Sequence, residues 1–203
     1  MTPLYKILFP NVFWNTKNNK VLLTIDDSPT NKGTEKVLKI LNYYSIKGLF
    51  FVKGNESEHY SNLLKEIYSE NHCIGNHSFN HNSMLFMNNK KISDEILRTD
   101  KIISESLSIT PKYFRPPFGR FNFYNGTINK LDKVIVMWDV FTYDYKNNAK
   151  FIKFAIQKCR KNSIITMHDN SKTENNIDYN FKLVIESVLS KNFVFGDPIE
   201  CLK

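Results

Sequence analysis

The sequence alternates short, nearly continuous apolar runs with longer segments in which apolar residues recur every three or four positions. The short runs predict buried strands, and the longer pattern predicts amphipathic helices. Parallel strands need crossover connections and are buried on both faces, which accounts for the lack of alternating polar residues in these runs. The predicted strands are residues 21–26, 48–52, 73–77, 112–116, 133–140, 163–169 and 192–196. The order of elements therefore predicts an α/β fold.

About seven strand-and-helix units favour a distorted or incomplete (β/α)7 barrel of mostly parallel strands, with an open doubly wound sheet as the alternative. A chain of 203 residues with 41% hydrophobic content can bury one sizeable core. No repeat or low-complexity linker divides it. We therefore expect residues 1–203 to form a single domain. The aromatic residues expected to pack the N-terminus onto the barrel are Tyr5, Phe9, Phe13 and Trp14.

Charge and hydropathy limit the kinds of partner that the chain is expected to bind. The net charge is +8, but most of the 28 basic residues are Lys and are scattered among acids, a pattern typical of solvated helix faces and not of a nucleic-acid site. No apolar run is long enough for a membrane span or a secretory signal, which by default favours the cytoplasm. The oligomeric state is open.

Polar residues that are unusual at buried positions fall where the predicted strands end. They are Asp26 and Asp27 at the end of the first strand, His77 and His81 following the third, Arg115 at the end of the fourth, Asp144 after the fifth and His168 at the end of the sixth. The carboxyl ends of parallel strands form one rim, where α/β proteins assemble their active sites. We expect these side chains to meet there.

His77 and His81 have a spacing that can place two imidazoles on one face of a helical turn. A carboxylate from another element would complete a site with two nitrogens, one oxygen and an open position, which is typical of catalytic zinc. The adjacent carboxylates of Asp26 and Asp27 repel each other unless a cation or an arginine compensates them. Each residue also has a structural explanation, such as a helix cap, a turn or a solvated strand end.

Five segments, taken together, resemble the motifs of the polysaccharide deacetylases, the NodB-homology domain of carbohydrate esterase family 4. They are TIDDSP (24–29), HSFNH (77–81), RPPFGR (115–120), WDVFTYDY (138–145) and IITMHD (164–169). They occur in the family's order, and the resemblance covers about residues 20–196, nearly the whole chain.

The resemblance implies a metal-dependent hydrolase. Asp27, His77 and His81 would bind one divalent metal ion, most often zinc in this family. Asp26 would be the general base that takes a proton from water, and Arg115 would hold that base in place.

The resemblance also implies the groups that act on the acyl and amine ends of the bond. The backbone N–H of Phe118 would help to stabilise the oxyanion. His168 would be the general acid for the leaving amine, with Asp144 raising the pKa of its imidazole.

Three residues depart from the family pattern. Ser28 replaces a glycine that tolerates positive φ, so we expect strain or a changed course after Asp27. Tyr145 replaces the usual tryptophan, and Thr166 stands where leucine usually lines the acetyl-methyl pocket. The last two changes predict a more polar acyl pocket.

The resemblance therefore implies removal of N-acetyl groups from N-acetylglucosamine units of a glycan. An O-acetyl esterase or another amide deacylase would use the same groups, and a non-catalytic glycan-binding member of the fold is a further alternative. The expected partner is an acetylated glycan such as peptidoglycan or a chitin-type oligomer, and no nucleic acid is expected. Family members usually act outside the cytoplasm, which conflicts with the absence of a visible signal.

Overall fold

The computed structural model describes residues 12–121, 126–146 and 148–203, and within them seven strands form one sheet. The strands are β1 (Leu22–Ser28), β2 (Leu49–Val52), β3 (Cys73–Asn76), β4 (Tyr113–Phe114), β5 (Val134–Ile135), β6 (Val140–Phe141) and β7 (Ile164–His168). The helices are α1 (Asn31–Tyr43), α2 (Gly54–His59), α3 (Ser61–Ser69), α4 (Asn89–Leu107), α5 (Thr127–Lys130), α6 (Ala149–Gln157), α7 (Ile177–Leu189) and α8 (Pro198–Cys201).

Every pair of neighbouring strands is parallel, and the strand order is β5-β4-β3-β2-β1-β7-β6. Side chains of the interior strand β1 alternate between two apolar layers. Leu23 and Ile25 pack with the helices, whereas Leu22 packs with Leu49 and Ile164 of the neighbouring strands. Burying a side chain of this size stabilises the fold by about 1.5–3 kcal/mol. The predicted parallel α/β architecture is confirmed.

Strands β5 and β6 lie at opposite edges of the sheet, although only residues 136–139 separate them in sequence. A connection of this length spans at most about 17 Å, so the sheet must curl until its edges approach each other. Two residues of the N-terminal segment form β-bridges beside this seam, where the two edges of the sheet approach each other. Phe13 forms a bridge with Val136, and Asn15 forms one with Ser163. The fold is thus the predicted incomplete (β/α)7 barrel.

Two predicted strands are wrong. The segment 133–140 is not one strand, because 136–139 cross from one edge of the sheet to the other. Val136 and Met137 are buried in this crossing, so their apolar character reflects burial and not a continuous ladder. The segment 192–196 forms only a single bridge, between Phe195 and Val21.

The N-terminal aromatic residues are only partly described. Trp14 is buried, and Phe13 packs against an apolar cluster of the sheet, as expected. Tyr5 and Phe9 lie outside the described residues. Among the helices of the described ranges, none has the length and apolar content needed to cross a bilayer.

Candidate active site

The polar residues predicted to meet do so at the carboxyl end of the sheet. Asp26 and His168 are paired in register where β1 and β7 end side by side. A cavity of about 1040 Å³ opens over this end, and Asp26, Asp27, His77, His81 and His168 all line it. The crossover helices place these strand ends together, so residues far apart in sequence share one wall.

Asp27, His77 and His81 form a cluster of metal-ligating groups. One ligand atom from each lies within 4.8 Å of the other two. Within the cluster, His81 Nε2 lies 3.3 Å from Asp27 Oδ1. Two imidazoles and a carboxylate are the donor set of catalytic zinc sites, which keep a further coordination position open. The three residues therefore fit a divalent cation.

An irregular turn brings the two imidazoles together, not the helical turn that their spacing suggested. Ser78 and His81 have positive φ values of 69° and 56°, which an α-helix excludes. Asn76 Oδ1 accepts the backbone N–H of Ser78 at 2.8 Å, and the Glu95 carboxylate accepts two further backbone N–H groups of the turn. The imidazole ring centroids of His77 and His81 are 4.9 Å apart.

The protonation states suit metal binding. His77 Nδ1 lies 2.7 Å from the backbone oxygen of Arg115, so a proton on Nδ1 leaves the Nε2 lone pair available as a ligand. Burial lowers the pKa of His77, and burial together with the nearby His77 lowers the pKa of His81 to about 4. Both rings are therefore neutral near pH 7, as ligation requires.

The Asp27 carboxylate is ionised in the same range. Burial raises its pKa, but the charges of neighbouring His77, His168, His81 and Lys53 outweigh this effect and lower the pKa to about 2. His81 and His168 act in this way because their imidazoles carry charge at the low pH at which Asp27 itself titrates.

Arg115 is fully buried and holds Asp26 in place. Its guanidinium donates to Asp26 Oδ1 at 2.7 Å and to the backbone oxygens of Val136 and Met137 at 2.9 Å each. The second carboxylate oxygen, Oδ2, lies 3.9 Å from His77 Nε2, on the side of the metal-ligating cluster. One oxygen of Asp26 is thus fixed, while the other faces the metal-ligating cluster.

His168 is held by Asp144, which is itself buried. Asp144 Oδ1 lies 2.8 Å from His168 Nδ1, and Asp144 Oδ2 accepts the backbone N–H of His168 at the same distance. Burial lowers the pKa of His168, but the nearby carboxylates, above all that of Asp144, outweigh this effect and raise the pKa to about 9. The imidazole therefore keeps its proton near neutral pH, with Nδ1 engaged by Asp144.

The sequence profile of the family described as "Polysaccharide deacetylase" matches residues 14–133 of this chain. The chain belongs to the polysaccharide deacetylase family. This match covers more than half of the 203 residues, including the metal-ligating cluster and Arg115.

Individual members of the family are similar to the chain. A peptidoglycan-N-acetylglucosamine deacetylase of Bacillus cereus is 33% identical over 63% of this chain and 46% of its own length. The peptidoglycan-N-acetylmuramic acid deacetylase PdaA of Bacillus subtilis is 34% identical over 78% of this chain and 63% of its own length. The chain therefore spans less than two thirds of these relatives.

A solved structure covers more of the chain. The Bc1960 peptidoglycan N-acetylglucosamine deacetylase, in complex with 4-naphthalen-1-yl-N-oxidanyl-benzamide, superposes with a TM-score of 0.88 at 26% identity. The match covers 100% of this chain and 97% of that one. The incomplete barrel is thus the family's fold.

Ser28, which departs from the polysaccharide deacetylase pattern, does not adopt the positive φ that a glycine tolerates. The residue with positive φ is Asp27, at 77°, and not Ser28. The Ser28 hydroxyl instead donates to Asp169 Oδ2 at 2.8 Å, beside a second donor, Thr34 Oγ1, at 2.6 Å. Burial raises the pKa of Asp169 to about 7, although these two hydrogen bonds act in the opposite direction. The serine thus supplies a donor that a glycine lacks.

The structure separates the remaining predicted residues into two groups. Tyr145 and Phe118 line the cavity, and Phe118 has a positive φ of 57°. Thr166 does not line it: this side chain is fully buried and its hydroxyl lies 3.1 Å from Arg115 Nη1 and 3.3 Å from Thr24 Oγ1. The prediction that Thr166 borders the acyl group is therefore corrected to a supporting position beneath Arg115.

Two residues at the site have no counterpart in the sequence reasoning. Asn170 Nδ2 donates to Asp27 Oδ2 at 2.6 Å, which leaves Asp27 Oδ1 facing His81. Lys53, directly after β2, lines the cavity and forms an ion pair of 3.6 Å with Glu56. Asn170 is the first residue after the motif IITMHD (164–169), and this position was the feature of the sequence that could have indicated a place at the site.

Proposed function

We propose that this polysaccharide deacetylase family member is a metal-dependent hydrolase that removes N-acetyl groups from N-acetylglucosamine or related units of a glycan. The observation that carries the proposal is the cluster of Asp27, His77 and His81, with Asp26 and His168 lining the same cavity. The names of the similar proteins, which act on peptidoglycan, support the choice of a glycan substrate. We also propose that residues 1–203 act as a single domain, with a motif-bearing core of about 20–196.

We propose that Asp27, His77 and His81 hold one zinc ion. Zinc prefers nitrogen and oxygen ligands in this number, and the neutral imidazoles and the ionised carboxylate match its requirements. A bound zinc ion supplies positive charge that polarises an acyl oxygen and lowers the pKa of a water molecule.

Asp26 is the proposed general base. Amide hydrolysis needs a proton to leave the attacking water, and Oδ2 of Asp26 faces the metal-ligating cluster while Arg115 holds Oδ1. The ion pair with the buried guanidinium fixes the orientation of the carboxylate, so Oδ2 is the oxygen placed to accept this proton.

His168 is the proposed general acid. An amine anion is a poor leaving group, so the nitrogen must receive a proton as the carbon–nitrogen bond breaks. His168 can donate from Nε2 because Asp144 occupies Nδ1. The net reaction consumes water and yields a free amine and acetate.

The test is acetate release from N-acetylated glucosamine oligomers and from peptidoglycan fragments by the purified, zinc-loaded protein. Asp26→Asn should lower kcat by about 10²- to 10⁴-fold, since general base catalysis contributes an effect of this size. Asp94→Asn, at an exposed position of α4, is the matched control. No release from any acetylated glycan, or full turnover by Asp26→Asn, would contradict the proposal.

A further inference from the structure

The wall of the cavity carries an excess of basic side chains. Those that line it are Lys53, Arg120, Lys158 and Lys172. Lys53 is close enough to the metal-ligating cluster to lower the pKa of Asp27, and it forms an ion pair with Glu56. The other three belong to segments beyond the cluster, so their presence is not explained by the amide chemistry.

The acidic side chains of the same wall are already engaged. Asp26 is bound to Arg115 at 2.7 Å. Asp139 accepts from Arg160 at 3.0 Å and from the backbone N–H of Ile164 at 2.8 Å. Asp27 belongs to the metal-ligating cluster and accepts from Asn170 at 2.6 Å. The carboxylates of the wall therefore do not neutralise Arg120 and Lys158.

Arg120 and Lys158 take part in no ion pair within the part of the chain that the structure describes. Both side chains are exposed at the cavity. Lys158 Nζ lies over the ring of Phe154, 4.3 Å from its centroid. A basic group without an acidic partner on a concave wall attracts anionic ligands.

Aromatic rings lie on the same wall. Tyr143, Tyr145 and Phe154 line the cavity with exposed fractions of 40%, 36% and 59%. Phe141 connects them to the catalytic end, because its ring centroid lies 4.9 Å from that of Tyr143 and 5.6 Å from that of His168. Exposed aromatic faces beside polar groups suit the apolar faces of pyranose rings.

We propose that this wall, formed by Arg120, Lys158 and the aromatic residues Tyr143, Tyr145 and Phe154, selects N-acetylated glycans that carry anionic groups over neutral ones. The inference rests on the proposed deacetylase function and deepens it. The aromatic rings bind the sugars next to the one that is deacetylated, and the two basic groups pair with an anion on those sugars. A neutral chitin-type chain would leave both basic groups without a partner.

The experiment compares N-acetylated oligosaccharides of equal length that are neutral, carboxylated or sulfated. We expect kcat/KM for acetate release at low salt to be about tenfold higher for the anionic oligomers, since each exposed ion pair contributes a few-fold. The advantage should shrink as salt screens the pairs. The sulfated oligomer distinguishes recognition of any anion from recognition of a carboxylate.

Variants assign the effect to the two residues. Arg120→Gln and Lys158→Gln should each reduce the anionic preference about threefold and leave kcat/KM on the neutral oligomer unchanged. Lys101→Gln removes an exposed lysine on α4 that pairs with Glu105, so it controls for the loss of net charge. Thermal melting of each variant checks that the fold is retained.

Binding of the same oligomers, measured by calorimetry, separates this inference from the proposed function. Equal kcat/KM on neutral and anionic oligomers, or equal losses on both in Arg120→Gln and Lys158→Gln, would overturn the inference and leave deacetylation standing. If no oligomer releases acetate, the proposed function fails, and tighter binding of the anionic oligomers still supports the inference whereas equal binding overturns it.

Discussion

The Asp144 carboxylate contacts His168 at two points. One of its oxygens lies 2.8 Å from the imidazole Nδ1, and the other accepts the backbone N–H of His168 at 2.8 Å. The backbone contact fixes the carboxylate relative to β7, and the ring contact fixes the imidazole relative to the carboxylate. The charge of Asp144 therefore acts on one ring at a defined distance, which makes its effect on the pKa of His168 measurable.

Asp144→Asn should move the alkaline limb of activity to lower pH. Asp144 raises the pKa of His168 to about 9, so an acid at this position stays protonated at neutral pH and loses its proton as the pH rises through that value. Without this carboxylate, burial lowers the pKa of His168 against the remaining charges of Asp26 and Asp27 alone. We expect the limb of the kcat–pH profile to move down by about two units.

A bound cation lowers the pKa of nearby imidazoles, so the comparison between the two proteins is the test and not the absolute position of the limb. Asp94→Asn, an exposed acid on α4, should leave the profile unchanged. An alkaline limb at the same pH in Asp144→Asn and the unchanged protein would refute the pairing as the cause.

Arg115→Met should lower the free energy of unfolding by about 3–5 kcal/mol, because it leaves the buried Asp26 carboxylate without its partner. Urea unfolding at neutral pH measures this loss. The double variant Asp26→Asn/Arg115→Met should recover part of it, because the unpaired charge is then absent. Equal stabilities of the single and double variants would show that lost packing, and not the buried charge, causes the effect.

The fold could be predicted because parallel strands are visible as apolar runs even in one sequence. The run 133–140 misled that prediction because residues at a seam are as buried as residues in a strand. Val136 and Met137 are apolar for packing reasons, while their backbone carbonyls bind the Arg115 guanidinium. Hydrophobic pattern alone does not distinguish these two environments.

The sequence predicted those residues of the candidate site that lie within the five motifs. The contacts that the sequence could not supply are between residues distant along the chain. Asn170 meets Asp27 across 143 positions, and Thr166 meets Arg115 across 51. Ser28 likewise could not be assigned a partner, since its hydroxyl binds Asp169 only because β1 and β7 are neighbours.

Asn170→Ala should weaken zinc binding about 10- to 100-fold, the usual effect of removing a group that orients a metal ligand. The Asn170 amide holds Asp27 Oδ2 at 2.6 Å and so restrains the rotation of the carboxylate whose other oxygen faces His81. Competition with a chromophoric chelator gives the affinity. Asn62→Ala, an exposed change on α3, is the matched control. Unchanged affinity in Asn170→Ala would mean that this hydrogen bond does not orient Asp27.

Zinc should stabilise the folded chain, since an ion that binds only the native arrangement of Asp27, His77 and His81 shifts the folding equilibrium. At about 100 times its Kd the expected gain in the free energy of unfolding is about 2.7 kcal/mol. Denaturation with and without a chelator measures the gain without any substrate. His81→Gln should abolish most of it, whereas His59→Gln, an exposed histidine on α2, should retain it. The same zinc-dependent gain in both variants would place the bound ion elsewhere on the chain and remove the physical basis of the proposed hydrolase.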